Sequence, residues 1–219
     1  APRDAVDRHL SLLSRAKLEV VGIHVEPTAL IECFGHLFRR KGDETISTMF
    51  VDLGASAAHV VIAHGKNLVF AKHIAIGGEM FNKRVAEAMK CDIAAAKALR
   101  VRVARQQAQA SRLPAGVVAI SGGAEQSHPL GAQNGAPAVS ESAGGAVDAE
   151  TLTKVSEALA DPLATLMNEL QLCVRYYESV FSGRAVDRAI FVGGESRHVA
   201  LCQSIAQRLG LPATLGDPL

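Results

Sequence analysis

An aspartate and three small residues follow a strand pattern in an order that suits phosphate and Mg²⁺. The run from Met49 to Val51 is unbroken and apolar, and Asp52, Gly54, Ala55 and Ser56 come next. Such a run is typical of a strand covered on both faces, where a carboxylate must be capped, paired or near water and a cation. Glycine allows a tight turn with anion-binding N–H groups, and a carboxylate suits hydrated Mg²⁺. The stretch therefore indicates either a phosphate site or ordinary turn chemistry.

Two Gly-Gly pairs occupy similar junctions elsewhere in the chain. One pair ends a strand pattern and begins a helix, and the other follows the apolar run "AIFV". The junctions consist of Gly77, Gly78, Gly193, Gly194, Glu195 and Ser196. Backbone at a helix start can approach an anion, and small residues can seat a flat base or a sugar. Each junction alone is also explained as a strand-to-helix turn, but two of them around one hairpin are more specific.

The elements that must hold these residues alternate between strand and helix. Strand patterns cover residues 18–26, 45–53, 58–64, 68–76, 187–196 (ending in a turn) and 212–215. Apolar residues at helical spacing predict helices at 4–16, 27–40, 79–89, 93–111 and 149–181, and a last one ending near 209. Pro162 predicts a break in the longest helix. Alternating elements with one early antiparallel hairpin predict an α/β fold with a mixed sheet.

One stretch has a different composition. Residues 114–148 are mostly Ala, Gly, Ser and Pro, with few large apolar residues. Burial in such a segment cannot offset the entropy lost on ordering, so the sequence predicts a flexible insertion. The stretch "VVAI" (117–120) is the part of it that most resembles a strand.

The overall composition argues against several classes of function. A formal net charge of +1 over 219 residues gives no electrostatic attraction to nucleic acid or to an anionic membrane. Aromatic residues make up only 4% and Trp is absent, which disfavours a base-stacking surface. The four cysteines are far apart and indicate reduced thiols in a cytoplasmic protein. We see neither a signal peptide nor an apolar run of membrane length.

Other candidate sites are weaker. His59 and His73 face each other if the turn "GKN" sets the hairpin register, but no third metal ligand is evident, and structural or surface histidines are the expected interpretation. A basic stretch is read as a solvated helix face rather than a nucleic-acid site, and it consists of Arg100, Arg102, Arg105 and Arg112. Three serines in the insertion lack a paired His or Asp, which argues against nucleophilic catalysis.

The hairpin sequence also resembles a known family. "VDLGASAAHVVIAHGKNLVFAKHIAIGG" resembles the second phosphate loop of the actin-like (ribonuclease H-like) ATPase superfamily, and "AIFVGGES" before a helix resembles its adenosine motif. Four further stretches resemble the PilM family of type IV pilus assembly, which is related to FtsA. They are "VGIHVEPTALIECF", "AAAKAL", "LMNELQLCVRYYES" and "LGLPATLGDPL". The resemblance covers nearly all of the chain outside the insertion.

The resemblance implies cofactors and roles for particular residues. The implied ligands are ATP and Mg²⁺, with Asp52 holding the metal through water. The second phosphate loop would contain Asp52, Gly54, Ala55 and Ser56, followed by Gly77 and Gly78 at the end of the hairpin. Lys97 matches a lysine whose helix borders the nucleoside. The adenosine loop would comprise Gly193, Gly194, Glu195 and Ser196, in which Glu195 is bulkier than usual and could crowd or repel adenine.

The family pattern also predicts how the chain divides. Nothing before Phe50 resembles the family's first phosphate loop, and the family's closing strand and helix are not found, which indicates a member trimmed at both ends. Residues 1–42 would be the remnant of a first actin-like subdomain. Residues 43–219 would be a second actin-like domain carrying the insertion.

The implied function is that of an ATP-binding scaffold in type IV pilus assembly, with at most weak ATPase activity. Its expected partners are the N-terminal segment of a PilN-like inner-membrane protein and the pilus assembly motor proteins, with no nucleic acid. It would lie in the cytoplasm and reach the bacterial inner membrane only through partners. Two alternatives stay open: a small-molecule kinase of the same superfamily, and a nucleotide-free interaction module.

Overall fold

The structure is a computed structural model that describes residues 2–110 and 146–216. The strand-like stretch 117–120, most of the predicted insertion and Arg112 lie outside these residues. Six α-helices are described: α1 (Arg3–Arg15), α2 (Glu26–Cys33), α3 (Gly78–Met89), α4 (Ile93–Ala110), α5 (Ala149–Val180) and α6 (Val199–Leu209). The strands are β1 (Ser47–Leu53), β2 (Ala58–His64), β3 (Asn67–Ile74), β4 (Arg188–Val192) and β5 (Ala213–Leu215).

These strands form one mixed sheet in the order β3-β2-β1-β4-β5. The hairpin β1-β2-β3 is antiparallel, whereas β4 lies parallel to both β1 and β5. The predicted α/β fold with a mixed sheet is confirmed.

The two faces of the sheet carry different layers. On one face the side chains of β1 and β2 pack against α3, α5 and α6, and Leu170 and Tyr177 of α5 are fully buried there. On the other face, Ile31, Phe34 and Phe38 cover Phe50 and its neighbours. Since successive residues of a strand alternate between faces, Asp52 belongs to the face of Phe50, on the side of α2.

A third apolar cluster joins α3, α4 and α5. Its buried members include Val85, Ala96, Val103 and Val155. This cluster fixes the helix that carries Lys97 and Arg100. Asp92 caps the start of that helix, because its carboxylate accepts a hydrogen bond from the amide of Ala95 at 2.7 Å.

Three predictions of secondary structure were wrong: one strand, the end of one helix and a break in another. Residues 18–25 form no strand within the described part of the chain, and Val21 is 95% exposed, because an alternating pattern makes a strand only where another backbone pairs with it. The helix starting near Pro27 ends at Cys33 and is followed by a short 3₁₀ turn. Helix α5 continues through Pro162, which is buried inside it. Leu159 and Leu163 pack against the core on both sides of Pro162, and this packing offsets the lost backbone hydrogen bond.

Candidate functional site

The predicted site loops leave the sheet at the same edge. Strands β1 and β4 are parallel neighbours, and Asp52 is the register partner of Val192. Their carboxyl ends therefore bring the loop around Gly54 close to the loop that starts at Gly193. The carboxyl edge of neighbouring parallel strands is a common place for ligands in α/β proteins.

The hairpin loop packs directly on the start of α3. Gly78 donates its N–H to the carbonyl of Gly54 at 3.1 Å, and Glu79 donates to Ala55 at 2.8 Å. A Cβ atom placed on Gly77 would lie 2.5 Å from the carbonyl oxygen of Ala55. Glycine at position 77 is thus required by contact between two loops of this chain, and the amides of Gly78 and Glu79 already donate to carbonyls.

Gly193 is required for a second close contact. Its φ of +87° lies in the region that favours glycine, and a Cβ there would meet Oδ1 of Asp52 and, at 2.6 Å, the carbonyl of Leu53. The Asp52 carboxylate therefore lies against the backbone of the second loop. Burial raises the pKa of Asp52, the nearby charge of Glu26 raises it further, and His59 lowers it.

Glu195 faces inward and pairs with a cation. Its Oε2 accepts a hydrogen bond from Nη2 of Arg100 at 2.6 Å, and the two side chains are only 14% and 6% exposed. Nη1 of Arg100 also donates to Oδ1 of Asn82 at 2.6 Å and to the carbonyl of Gly78 at 3.3 Å. The charge of Glu195 is balanced within the chain, and the loop after β4 is connected to α3 and α4.

This pairing corrects the interpretation of the basic stretch. Arg100 was predicted on a solvated helix face but is buried, whereas Arg102 and Arg105 are exposed. Sequence reasoning also missed Asn82 and His198, whose Nε2 lies 3.5 Å from Oε2 of Glu195. Burial lowers the pKa of His198, the charge of Glu195 opposes that shift, and Arg100 adds to it. No local pattern marks these residues, since their contacts join distant parts of the chain.

A cavity of about 580 Å³ opens beside the two loops. Four predicted residues line it, namely Ala55, Lys97, Gly194 and Glu195. A Cβ on Gly194 would have no atom within 4 Å, so the backbone there borders open space. The lining also includes Arg105 and Arg197. The volume lies in the range of small-molecule sites, and its three basic side chains favour an anionic ligand.

The remaining predicted residues do not line the cavity. Ser196 donates its hydroxyl to the carbonyl of Gly193 at 2.7 Å, which is a contact inside the loop. Ser56 is exposed in the hairpin loop. The residues that line the cavity do not include Asp52, Gly54, Gly77, Gly78 or Gly193.

Asp52 instead belongs to a polar row across three strands. It pairs in register with His59, which in turn pairs with His73. The predicted facing of the two histidines is confirmed, with Nε2 of His59 lying 2.8 Å from Nδ1 of His73. The prediction that no third ligand lies nearby was wrong, because Glu26 and Asp52 offer ligand atoms within 4.8 Å of each other and of His59.

Two separate features of the structure offer donors for Mg²⁺ and for the anionic part of a nucleotide. Asp52 and Glu26 supply carboxylate oxygens, the ligand type that Mg²⁺ prefers. The cavity supplies basic side chains for phosphate and, at Gly194, room for a flat group.

The chain has an actin-like fold, a mixed sheet flanked by helices. A solved PilM–PilN type IV pilus biogenesis complex matches 100% of this chain and 49% of its own chain, with a TM-score of 0.69 and 16% identity. The ethanolamine utilization protein EutJ from Carboxydothermus hydrogenoformans matches 94% of this chain and 54% of its own, with a TM-score of 0.54 and 13% identity. The chain thus spans about half the length of these structures. No protein-family model and no curated protein matches it.

Within residues 2–110 and 146–216, none of the helices combines the length and the apolar character needed to cross a membrane.

Proposed function

We propose that the chain is part of a PilM-type, actin-like scaffold of type IV pilus assembly that binds ATP and Mg²⁺. The observation that carries this proposal is the likeness to the PilM–PilN complex along the whole chain, together with a basic cavity at the junction of the two predicted loops. Residues 1–42 belong in this proposal to a first subdomain, and residues 43–219 to a second.

The residues of the cavity and of the phosphate loop have distinct roles in this proposal. Lys97 and Arg197 attract the negative charge of the nucleotide, and Gly194 leaves space for its base or sugar. Asp52 holds hydrated Mg²⁺ through water, and Gly54 and Ser56 accompany it in the phosphate loop. In this proposal, binding of ATP with Mg²⁺ is coupled to closure between the two subdomains rather than to rapid turnover.

The Arg100–Glu195 pair has a positioning role. It connects the adenosine loop to α3 and α4 and removes the negative charge that would otherwise face an anionic ligand. Glu195 is therefore compatible with a nucleotide in the cavity, although it is bulkier than the residue usual in the family.

Calorimetric titration of the intact protein with ATP and Mg²⁺ tests the site. Lys97→Ala is expected to weaken binding about tenfold, the effect of losing one charge-assisted hydrogen bond. Lys83→Ala is the matched control, because Lys83 is exposed on α3 and does not line the cavity. Equal affinities for the two variants would contradict the assignment of the cavity.

A second titration tests the partner. The intact protein is expected to bind a peptide with the N-terminal sequence of a PilN-like inner-membrane protein, and not a scrambled peptide of the same composition. This partner would bring the protein from the cytoplasm to the inner membrane and couple it to the assembly motor. Absence of peptide binding would contradict the pilus role even if ATP binds.

A nucleotide-free interaction module is the second candidate, and specific contacts favour it. At Gly77 and Gly193, atoms of the chain itself occupy the space that a Cβ atom would need. These contacts explain both glycines without a ligand. Peptide binding without ATP binding would identify this candidate.

A further inference from the structure

The row Asp52–His59–His73 is held by strand register. Each member lies directly opposite the next across β1, β2 and β3. Directly paired residues have side chains on the same face, which here is the face of Phe50 and α2. The position of the row is therefore fixed by backbone hydrogen bonds, without needing the side chains to attract one another.

Helix α2 brings a fourth polar side chain to this row. Glu26 is its first residue, and Pro27 fixes the helix start beside it. Oε1 of Glu26 lies 2.5 Å from Nδ1 of His59. Ile31 and Phe34 hold the same helix against the sheet, so packing rather than chance places Glu26 here.

His59 uses its two nitrogens differently. Nδ1 faces Glu26, and Nε2 faces His73. A metal-binding imidazole normally directs its other nitrogen to a hydrogen-bonding partner that fixes the ring orientation. His73 provides that partner at 2.8 Å.

We propose that Glu26, Asp52 and His59 bind one divalent transition-metal ion of the zinc class, with His73 as the positioning residue. The three ligand atoms lie within 4.8 Å of one another and come from α2, β1 and β2. Within the described residues, no other group of His, Cys, Asp and Glu has this geometry. Two carboxylates and one imidazole leave a fourth position of a tetrahedral ion open to water.

The ligand types select the metal. Imidazole suits Zn²⁺ and its neighbours, whereas Mg²⁺ and Ca²⁺ prefer oxygen alone. Ligand atoms around tetrahedral Zn²⁺ lie about 3.3 Å apart. Oε1 of Glu26 now lies 2.5 Å from Nδ1 of His59, so it must move away from that nitrogen by less than about 1 Å. Its side chain is 50% exposed and has room for this movement.

The ion would connect α2 to the sheet. Glu26 belongs to the segment before β1, whereas Asp52 and His59 belong to the central hairpin. A bound metal would link these two parts directly. Without it, α2 is held on the sheet by apolar packing. The inference requires no nucleotide, because all three ligands are protein side chains, but this ion would compete with the proposed Mg²⁺ for the carboxylate of Asp52.

Binding of Co²⁺ to the metal-free intact protein tests the site, with no nucleotide present. We expect one equivalent of Co²⁺ to give visible absorption bands and one equivalent of Zn²⁺ to remove them. His59→Ala and Glu26→Gln should abolish the bands, and His73→Ala should weaken affinity about 10- to 100-fold, as for other partners of ligating histidines. His9→Ala is the matched control, since His9 is exposed on α1.

The same experiment can overturn the proposal. Bands that persist in both His59→Ala and Glu26→Gln would show adventitious binding elsewhere, and so would a stoichiometry well above one. Absence of saturable binding in the unmutated protein would show that the four side chains form only a hydrogen-bonded chain. Circular dichroism of each variant distinguishes loss of ligand from loss of fold. Co²⁺ binding without ATP binding would support this metal site and contradict the proposed function.

Discussion

The guanidinium of Arg100 donates to the carboxylate of Glu195 at 2.6 Å, although the two residues lie 95 positions apart in the sequence. Both side chains are buried, and Arg100 also reaches Asn82 and lies 5.1 Å from the centre of the Phe81 ring. The pair joins the loop after β4 to the helices on the other side of the cavity. Each charge is acceptable in this interior only because the other is present.

Removing one member of this pair should therefore destabilise the protein strongly. We expect Arg100→Met to lower the free energy of unfolding by about 3–5 kcal/mol, because the Glu195 carboxylate loses its charged partner and keeps only His198, at 3.5 Å. The double variant Arg100→Met/Glu195→Gln should lose less than the sum of the single losses. Urea denaturation measures these changes.

Lys154→Ala is the control for that experiment. Lys154 pairs with Glu150 at 2.7 Å across one turn of α5, but both side chains are more than half exposed. The loss should be below about 0.5 kcal/mol. If Arg100→Met cost no more than Lys154→Ala, the buried pair would not be structural.

His198 should make stability depend on pH. Its pKa is lowered mainly by burial, so the unfolded chain binds more protons than the folded chain between the two pKa values. The free energy of unfolding is therefore expected to decrease as the pH falls below about 6.5, the ordinary value for histidine. Urea denaturation between about pH 7.5 and 5.5 would measure the slope.

Two variants isolate that contribution. His198→Asn should flatten the slope, and it preserves a residue suited to the first position before α6. His9→Asn, on exposed α1, should leave the slope unchanged. Identical slopes for the unmutated protein and His198→Asn would exclude His198 as the source.

Local patterns account for the hairpin and its histidines. Apolar strand patterns and the turn at residues 65–67 predict β2 and β3, and they also predict that His59 faces His73. The same patterns do not predict Glu26 beside His59 or Glu195 beside Arg100. Those contacts depend on how the helices pack on the sheet. This packing is determined jointly by residues that are far apart in the sequence. Residues 18–25 show the converse, since an alternating pattern without a partner strand forms no strand.

A buried tyrosine provides a further prediction about the core. The hydroxyl of Tyr177 lies 2.8 Å from Oγ of Ser47, so α5 and β1 are joined by a hydrogen bond inside the apolar core. Tyr177→Phe should lower the free energy of unfolding by about 1 kcal/mol, because Ser47 loses one partner and retains His64 at 3.2 Å. Thermal or urea denaturation measures this loss.

The adjacent tyrosine is a natural control. Tyr176 is 56% exposed on the same helix, so Tyr176→Phe should change stability by less than about 0.5 kcal/mol. Similar losses for both variants would mean that the buried hydroxyl contributes nothing of its own.

The two glycines after β4 should respond differently to the same substitution. Gly193→Ala places a Cβ against the Asp52 carboxylate and the Leu53 carbonyl at a φ of +87°, so it should cost about 1–3 kcal/mol of unfolding free energy. Gly194→Ala meets no atom within 4 Å and should leave the free energy of unfolding nearly unchanged. Urea denaturation of both variants measures the difference.

Ligand titration then gives the second half of this comparison. Since Gly194 lines the cavity and Gly193 does not, Gly194→Ala should weaken ATP binding while the protein stays as stable as the unmutated form. Destabilisation by Gly194→Ala would contradict the open space at this position. Unchanged ATP affinity would show that the backbone at Gly194 does not border the nucleotide. Gly193→Ala should change ATP affinity only through the displaced Asp52, so its effect should be largest when Mg²⁺ is present.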